Sequence, residues 1–261
     1  SALASGGKLR KTGRMPDHPI LRLVHYAPGL RQPMHAHAEV SLCLLLDGRL
    51  CERVGRREIS ARAGQWCHKA AGVEHATAFG PEGATTLQIV LANRAALAPS
   101  LPWHWGSETP VTQLLWALLG GGRAAVDPEI LLDLAALLAA GHRDPLAPPW
   151  WARAYEALCA GHAPIAAVAA DCGVHRAQLV RVTQRLVGCT PVALRQRARL
   201  GRGLARLSRE PGLALSDVAL AGGFADQAHF NRECQRWLGQ APGRWRRHWA
   251  EPGAEVRDPT S

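Results

Sequence analysis

An internal repeat in the C-terminal half constrains the fold of this chain more than any other feature. Residues 164–191 and 213–242 share the same order of apolar, glycine and proline positions. The pairs spaced 51 residues apart are Leu179 and Phe230, Arg181 and Arg232, Gly188 and Gly239, and Pro191 and Pro242. The pairs spaced 50 residues apart are Ala169 and Ala219, and Gly173 and Gly223. The repeat therefore predicts one structural unit present twice, with one residue inserted in a turn.

Each copy has the pattern of two helices joined by a tight turn. The alanine is small enough for two helices to cross closely, and the glycine can adopt a left-handed turn conformation. In a helix-turn-helix of this kind, the second helix can enter a DNA major groove roughly 12 Å wide. One copy alone could be any helical hairpin. Two copies joined by a basic helical stretch, residues 190–209, favour a tandem DNA-binding unit.

The positive charge of the chain is concentrated in the same region. The 261 residues carry a net charge of +10. Residues 150–249 account for +9, with 15 arginines, no lysine and six acidic residues, whereas residues 1–149 carry +3. A GC-rich genome would explain arginine in place of lysine, but not its segregation. Arginine binds phosphate and guanine in a bidentate manner, so the distribution indicates a nucleic-acid partner.

Composition excludes several classes of protein. Hydrophobic residues make up 47% of the chain and charged residues 20%, as in ordinary globular proteins. The longest apolar run, residues 130–140, is shorter than the ~20 residues of a membrane span. The N-terminus lacks the apolar segment of a secretory signal, and the seven cysteines show no CxxC spacing. We therefore expect a cytoplasmic, nucleoid-associated protein with a flexible lead (residues 1–14) and a flexible tail (residues 250–261).

The first hundred residues follow a different pattern. Short, partly alternating apolar segments recur about every ten residues, which predicts antiparallel strands in a barrel or sandwich. A helical stretch follows, in which Asp127 is the expected N-cap and Pro128 the first helical residue. The predicted class is a multidomain α+β fold. It comprises a β-barrel sensor domain (15–109), a helical connector and dimerisation segment (110–149) and an all-α domain with two helix-turn-helix motifs (150–249).

The basic region resembles the DNA-binding domain of AraC/XylS transcriptional regulators. The matching elements are Leu179-x-Arg181, Gly188-x-x-Pro191, Arg199-Leu200, Val218-Ala219, the phrase GGFADQAHFNR, and Gly239-x-x-Pro242. Thr183 and Cys234 stand where the family usually has an aromatic residue. The resemblance covers about 100 residues, and it implies a tandem helix-turn-helix in which each second helix reads one major groove.

The resemblance also implies which residues contact DNA. The expected base- and phosphate-contacting residues are Arg176, Ala177, Val180 and Arg181 on the first recognition helix, and Gln227, Ala228, Asn231 and Arg232 on the second. Additional phosphate contacts are expected from Arg195, Arg197, Arg199, Arg202, Arg244, Arg246 and Arg247. The two helices should enter successive major grooves, about 34 Å apart.

The N-terminal region resembles the cupin family of small β-barrels. Gly29 is followed by His35 and His37 at the spacing G-x5-H-x-H, and Gly64 precedes His75 in a second motif that has Ala70 in place of proline. The glutamate that normally follows the two histidines is absent from its usual place. His35, His37 and His75 together suit Zn, Ni, Cu or Fe as divalent ions. Alternatively, they bind an organic effector or only fill the barrel mouth.

Other side chains of the first half are candidates for supporting roles. Trp66, Trp103 and Trp105 could form aromatic walls of a ligand pocket, although each could equally pack in the core. The leucine-rich helix expected over residues 129–140 could pack on the barrel or form a two-fold interface in a homodimer.

These observations predict a ligand-responsive transcription regulator and not an enzyme. The expected partners are double-stranded promoter DNA, a small-molecule or metal effector and RNA polymerase, and the resemblance favours an activator. Walker, GxSxG, HExxH and Rossmann motifs are absent from the sequence. Two alternatives stay open: a metal-dependent cupin enzyme fused to a DNA-binding domain, and a regulator whose effector is the metal itself.

Overall fold

The computed structural model describes residues 19–91, 101–107, 109–121, 127–140, 146–249 and 256–257. Strands occupy the first two of these ranges and helices the later ones, apart from the short strand at residues 256–257. The strands are β1 (Ile20–Tyr26), β2 (Arg31–His35), β3 (Val40–Val54), β4 (Arg57–Arg62), β5 (Trp66–Lys69), β6 (His75–Leu91), β7 (Trp103–Gly106) and β8 (Val256–Arg257).

Two long strands organise the β domain. β3 and β6 pair antiparallel along most of their length, and their register shifts at two irregularities, between Leu45 and Asp47 and between Gly48 and Leu50. On one side of these shifts, β5 and β7 extend the sheet beyond β3, and β1 extends it beyond β6. On the other side, β4 pairs with β3 and β2 with β6. Because bulges bend and twist strands, the two ends of β3 and β6 contribute to two faces of the domain.

The remaining elements of the described chain are helices. They are α1 (Thr109–Gly121), α2 (Pro128–Ala139), α3 (Trp151–Ala160), α4 (Ile165–Asp171), α5 (Arg176–Val187), α6 (Pro191–Arg209), α7 (Leu215–Gly222), α8 (Gln227–Leu238) and α9 (Pro242–Trp249). Asp127 caps α2 by accepting a hydrogen bond from the Glu129 N–H, with proline in the first turn, as the sequence predicted. None of the helices in the described ranges is long and apolar enough to cross a membrane.

The β domain and the helical half share one apolar core. A single cluster of buried side chains contains Leu44 and Leu46 of β3, Leu115 of α1, Leu204 of α6 and Trp245 of α9. Gly201 of α6 packs so closely on β3 that a methyl group there would overlap the Leu46 carbonyl oxygen. The Tyr155 hydroxyl on α3 donates to the Ala63 carbonyl (3.0 Å), and Arg209 on α6 pairs with Asp47 (3.0 Å).

The predicted class is confirmed: an antiparallel β domain precedes helices, and an all-α domain with two helix-turn-helix motifs ends the described fold. The predicted N-terminal lead (1–14) lies outside the described residues. Within the predicted tail (250–261), Val256 and Arg257 form β8, parallel to β1. β1 offers them an edge with backbone groups that can still pair.

Candidate functional site

The two predicted turns have closely matched geometry. Gly173 and Gly223 adopt left-handed φ angles of 67° and 83°. In the first copy the Val174 N–H donates to the Ala169 carbonyl (3.0 Å), and in the second the corresponding Phe224 N–H donates to Ala219 (2.9 Å). These bonds satisfy carbonyls at the end of the first helix of each unit. The inserted residue therefore lies after Phe224 and before α8.

Side-chain caps begin both second helices, and glycines end them. The His175 ring nitrogen accepts from the Ala177 N–H (3.2 Å), and the Asp226 carboxylate accepts from the His229 N–H (2.6 Å). At their C-terminal ends, α5 and α8 stop at glycines with φ of 74° and 67°. The same start and stop signals thus define two equivalent helices, each of 12 residues.

The eight predicted DNA contacts lie on the N-terminal halves of these two helices. Arg176, Ala177, Arg181, Gln227, Ala228 and Arg232 are exposed. Val180 and Asn231 are half-buried, and the Asn231 side-chain oxygen is covered by neighbouring atoms. The structure thus brings each set of four onto one helix, with six of the eight side chains open to solvent.

The opposite faces of α5 and α8 pack inward. Leu179 and Phe230 are fully buried, which agrees with the repeat. Thr183 and Cys234, which replace the usual aromatic residues, are also fully buried. The Thr183 hydroxyl donates to the Leu179 carbonyl (2.7 Å), so its polar group is satisfied inside the helix. Both departures keep the packing role of the position with a smaller side chain.

Three of the arginines predicted to contact phosphate also donate hydrogen bonds within the protein. Arg195, Arg199 and Arg202 lie on α6 and donate to the carbonyls of Ala163, Gly161 and Cys159 at distances of 2.6–3.1 Å. These carbonyls lie at or just beyond the C-terminal end of α3, where the backbone acceptors have no helical partner and carry negative partial charge. These three residues therefore bind α6 to α3, and their phosphate contacts stay a prediction.

Two further arginines are also engaged within the protein. Arg197 is buried, with its guanidinium 4.9 Å from the centre of the Trp237 ring, so it links α6 to α8. Arg246 donates to the Leu213 carbonyl (2.9 Å). Burial of Arg197 argues against a phosphate contact there, whereas the phosphate contact of the half-buried Arg246 stays a prediction. Arg244 and Arg247 are exposed and stay predicted phosphate contacts.

The β domain encloses a cavity of about 680 Å³. Its walls include Arg22, Tyr26, Gln32, His37, Glu39, Ser41, Cys43, Leu50, Glu52, Lys69, His75, Thr77, Phe79, Gln88 and Trp105. Tyr26 and Phe79 stack with ring centres 4.0 Å apart. The Tyr26 hydroxyl accepts a hydrogen bond from Gln88 (2.6 Å), whose carbonyl accepts from Arg22 (3.1 Å). The volume and the mixed lining are typical of sites for small organic molecules.

A buried carboxylate is the centre of the polar wall. Glu52 accepts hydrogen bonds from the indole N–H groups of Trp103 and Trp105, both at 2.7 Å, and pairs with Lys69 at 2.5 Å. Burial alone would raise the pKa of Glu52, but Lys69 and the hydrogen bonds hold it below its usual value. Burial would likewise lower the pKa of Lys69, and Glu52 raises it above its usual value. Both groups are therefore charged at neutral pH.

Sequence reasoning missed Glu52 and Lys69. Glu52 follows Leu50 at a spacing of two on β3, so a charge at an inward position was the available signal. The inward position of Glu52 could not be counted along the strand, because the bulges between Leu45 and Leu50 change which face of the sheet each residue occupies. Of the predicted pocket tryptophans, Trp105 lines the cavity, and Trp103 is buried beside Glu52. Trp66 is fully buried in the apolar core shared with the helical half.

The three predicted histidines come together, and two of them, His37 and His75, line this cavity. His35 lies opposite His75 across the β2–β6 pair, and His37 follows two residues later. Their ring centres are 4.3–5.3 Å apart, and one nitrogen of each ring lies within 4.8 Å of the others. Within the described residues, this is the group of His, Cys, Asp and Glu side chains whose spacing could hold a metal ion.

The hydrogen bonds of two histidines fit a metal ligand. Nδ1 of His35 lies 2.7 Å from the Pro33 carbonyl, and Nδ1 of His75 lies 3.0 Å from the Val73 carbonyl. An N–H donated to a carbonyl leaves Nε2 unprotonated and free to coordinate. Burial and Lys69 lower the pKa of His75, which favours the neutral ligand form.

Comparisons with known proteins support the helix-turn-helix interpretation of the helical half. A family model described as a helix-turn-helix domain matches residues 168–248. The HTH-type transcriptional regulator VirS of Mycobacterium tuberculosis is 39% identical over 49 residues, which cover 19% of this chain and 14% of VirS. This match concerns a small part of VirS.

Among solved structures, ToxT from Vibrio cholerae aligns with 88% of this chain and 98% of its own, at 8% identity and a TM-score of 0.38. An AraC-type regulator from Chromobacterium violaceum aligns with 40% of this chain and 96% of its own, at 25% identity and a TM-score of 0.37. The C-terminal part of the chain is a helix-turn-helix domain, as its motifs implied.

Proposed function

We propose that this chain, with its C-terminal AraC-type helix-turn-helix domain, is a one-component transcription regulator that activates promoters in response to an effector. The observation that carries the proposal is the pair of equivalent helices α5 and α8. Each presents four predicted DNA contacts from its N-terminal half, and the region around them holds nearly all the net positive charge of the chain. An exposed, arginine-bearing helix after a tight turn suits entry into a major groove.

The proposed DNA contacts divide into two kinds. Gln227 and Asn231 suit adenine, Arg176 and Arg181 suit guanine, and Val180 can touch a thymine methyl group. Arg244 and Arg247 add phosphate contacts, which carry affinity but no sequence information. Two modules on one chain would occupy successive major grooves on one face of the duplex, so each half of the site is read by a different helix.

The test begins with selection of bound sequences from the organism's own genomic DNA. The affinity for the selected site, measured by fluorescence anisotropy at several salt concentrations, should fall steeply with salt because phosphate contacts release counterions. Insertion of five base pairs between the two half-sites should also weaken binding, because it rotates one half-site to the opposite face of the duplex. A flat salt response without any preferred sequence would exclude the proposed function.

The cavity of the β domain is the proposed effector site. β3 forms part of its wall through Cys43 and Glu52, and the same strand contacts α6 at Leu46 and Asp47. α6 lies between the two helix-turn-helix units, so a change in β3 can reach both of them. The effector must bind one arrangement of the two halves more tightly than the other, since equal affinity would shift nothing.

The histidine cluster favours a second candidate, in which the effector is a metal ion. His35, His37 and His75 would hold Zn²⁺, Ni²⁺, Cu²⁺ or Fe²⁺, and the ion would supply a positive charge at the rim of the cavity. Titration of Zn²⁺ or Ni²⁺ into the anisotropy assay should then change the affinity for the selected site. His35→Ala should remove this response, whereas replacement of the exposed His162 should retain it. An unchanged affinity in wild type would leave the organic effector as the candidate.

The remaining partners follow from the same proposal. An activator contacts RNA polymerase beside its site, and α2 would provide the face for a homodimer. The fusion of a metal-dependent enzyme to a DNA-binding domain is the less favoured alternative, since the relatives found are transcription regulators. Metal analysis with an assay for turnover of oxygen or organic substrates would support that alternative only if a stoichiometric metal accompanied turnover.

A further inference from the structure

Two cysteines face each other across neighbouring strands inside the β domain. Cys43 on β3 is directly opposite Cys67 on β5 in the antiparallel register. Directly opposed residues in such a pair have Cα atoms about 4.5–5.5 Å apart, within the range of 4.4–6.8 Å found in disulfides. Both side chains point to the same face of the sheet, since cross-strand partners do so. The pair can therefore be bridged without a change of register.

The surroundings give the two thiols different chemistry. Cys43 lines the cavity of about 680 Å³, whereas Cys67 is buried behind it. A side-chain hydrogen bond between the two thiols, together with the cation of Lys69, holds the pKa of Cys43 below its usual value despite burial. Burial raises the pKa of Cys67 well above its usual value. Such a pair has one thiolate-prone sulfur beside a protonated partner.

Other cysteines lack this combination. Burial raises the pKa of Cys159 to about 12, and it also raises the pKa values of Cys189 and Cys234. Cys51 is on β3 opposite Ser60, and the pKa of its thiol is raised by burial and by Glu58. Cys43 is thus the cysteine in which a cavity, a cation and a second thiol coincide.

We propose that Cys43 and Cys67 form a peroxide-reactive dithiol site, with Cys43 as the attacking sulfur and Cys67 as the resolving one. The site takes hydroperoxides small enough to enter the cavity. This inference goes beyond the proposed regulator function and does not depend on it, because the chemistry can be followed without DNA. Its location gives it a route to the helical half, since β3 continues from Cys43 to Leu46 and Asp47, which contact α6.

The reaction balances with the peroxide as oxidant. The Cys43 thiolate attacks one peroxide oxygen and the O–O bond breaks, which leaves a sulfenic acid on Cys43 and releases hydroxide that takes up a proton to become water. The Cys67 sulfur then attacks the Cys43 sulfur and displaces its hydroxyl group, which leaves as water with the Cys67 proton. Two thiols and one hydrogen peroxide give one disulfide and two waters.

The test uses the full-length protein treated with a small excess of hydrogen peroxide. After denaturation and alkylation with iodoacetamide, peptide mapping should find a Cys43–Cys67 disulfide, with the other five cysteines alkylated. Cys43→Ser should lose the disulfide, whereas Cys51→Ser, on the same strand, should keep it. Cys67→Ser should leave a sulfenic acid on Cys43 that dimedone traps.

The wild-type protein alone decides the result if a variant does not fold. Alkylatable Cys43 and Cys67 after peroxide treatment would overturn the proposal, and so would a disulfide between any other pair. In the untreated folded protein, iodoacetamide should modify Cys43 at lower pH than Cys51, because the Cys43 thiolate is stabilised. Modification of both thiols with the same pH dependence would count against Cys43 as the attacking sulfur. Circular dichroism of each variant shows whether it is folded.

Discussion

Gln227 and Gln235 lie two turns apart on α8, and both are exposed. Gln227 begins the helix, where a side chain can reach base edges, whereas Gln235 lies about 12 Å further along the axis. We expect Gln227→Ala to weaken binding to the selected DNA site by about 1–3 kcal/mol, roughly fivefold to 150-fold, and to relax the base preference at one position.

The same anisotropy assay gives the control. Gln235→Ala should bind with nearly wild-type affinity, because its side chain is too far from the N-terminal end of α8. Equal losses for both glutamines would contradict base reading by the start of this helix.

Because His25 is buried, we expect the free energy of unfolding to depend on pH. It is buried beside Thr85, and burial, with a smaller contribution from Arg209, lowers its pKa to about 4. Since the unfolded histidine titrates near 6.5, the unfolded state binds more protons between pH 6.5 and 4. The neutral form of His25 therefore contributes fully to the free energy of unfolding above pH 6.5. This contribution, up to about 3 kcal/mol, is lost as the pH falls towards 4.

Urea unfolding measured between pH 4 and 7 tests this expectation. His25→Asn, which can keep the bond to Thr85, should flatten the curve in this range. Replacement of the exposed His248 by asparagine should leave the wild-type slope. A His25→Asn curve parallel to that of wild type would show that other groups cause the loss.

At the scale of single residues, the sequence indicated which side chains were candidates for a role, but not which groups they contact. Leu179 and Thr183, four residues apart, are both buried, because helical spacing determines the buried face of an amphipathic helix. The sequence could not separate Arg195, which binds a backbone carbonyl, from Arg244, which is exposed. The acceptors of Arg195, Arg199 and Arg202 come from another helix, and only tertiary packing brings them within reach.

At the scale of elements, two adjacent glycines at the end of α1 provide a test site and its control for the contact between α1 and α8. A methyl group on Gly120 would lie 2.6 Å from the Leu238 carbonyl oxygen at the end of α8, whereas one on Gly121 would meet nothing within 4 Å. We expect Gly120→Ala to lower the free energy of unfolding by about 1–2 kcal/mol, since overpacking outweighs the gain in helix propensity.

Chemical denaturation of the two variants side by side is the measurement. Gly121→Ala should be neutral or stabilising by up to about 1 kcal/mol, because alanine favours a helix and nothing obstructs it. If Gly120→Ala were as stable as Gly121→Ala, the close contact between α1 and α8 would not persist in solution.

Element boundaries followed local signals that are visible in the sequence. Asp127 and Pro128 begin α2, and Gly188 and Gly239 end the two recognition helices. Such caps act through atoms a few residues away, so the sequence contains all the information needed. The β-bulges of β3 had no such signal, because a register shift depends on the partner strand β6.

At the scale of the whole molecule, the shared apolar core predicts cooperative unfolding. Leu44 of β3, Leu115 of α1 and Leu204 of α6 belong to one buried cluster. Since loss of either half would expose this cluster to water, we expect one thermal transition for the full chain when it is followed by far-UV circular dichroism and by tryptophan fluorescence. Leu204→Ala should lower the midpoint temperature of both signals together, because it lowers the free energy of unfolding by about 2–5 kcal/mol.

The exposed Leu220 on α7 provides the control, because its truncation to alanine removes little buried surface. Two separate transitions, or a shift of only one signal in Leu204→Ala, would mean that the β domain and the helical half unfold independently.

The sequence by itself determined the order of strands and helices, the tandem repeat, the face that each recognition helix buries and the three histidines of the cluster. These features depend on periodicity, caps and short spacings, which act within one element or recur at a fixed offset. Only the tertiary structure decided that Glu52 and Lys69 pair inside a cavity, that Cys43 lies opposite Cys67 and that α6 packs on β3. Those contacts join residues from elements distant in the chain, and their free energy comes from burial and charge pairing that exist only once the elements have packed.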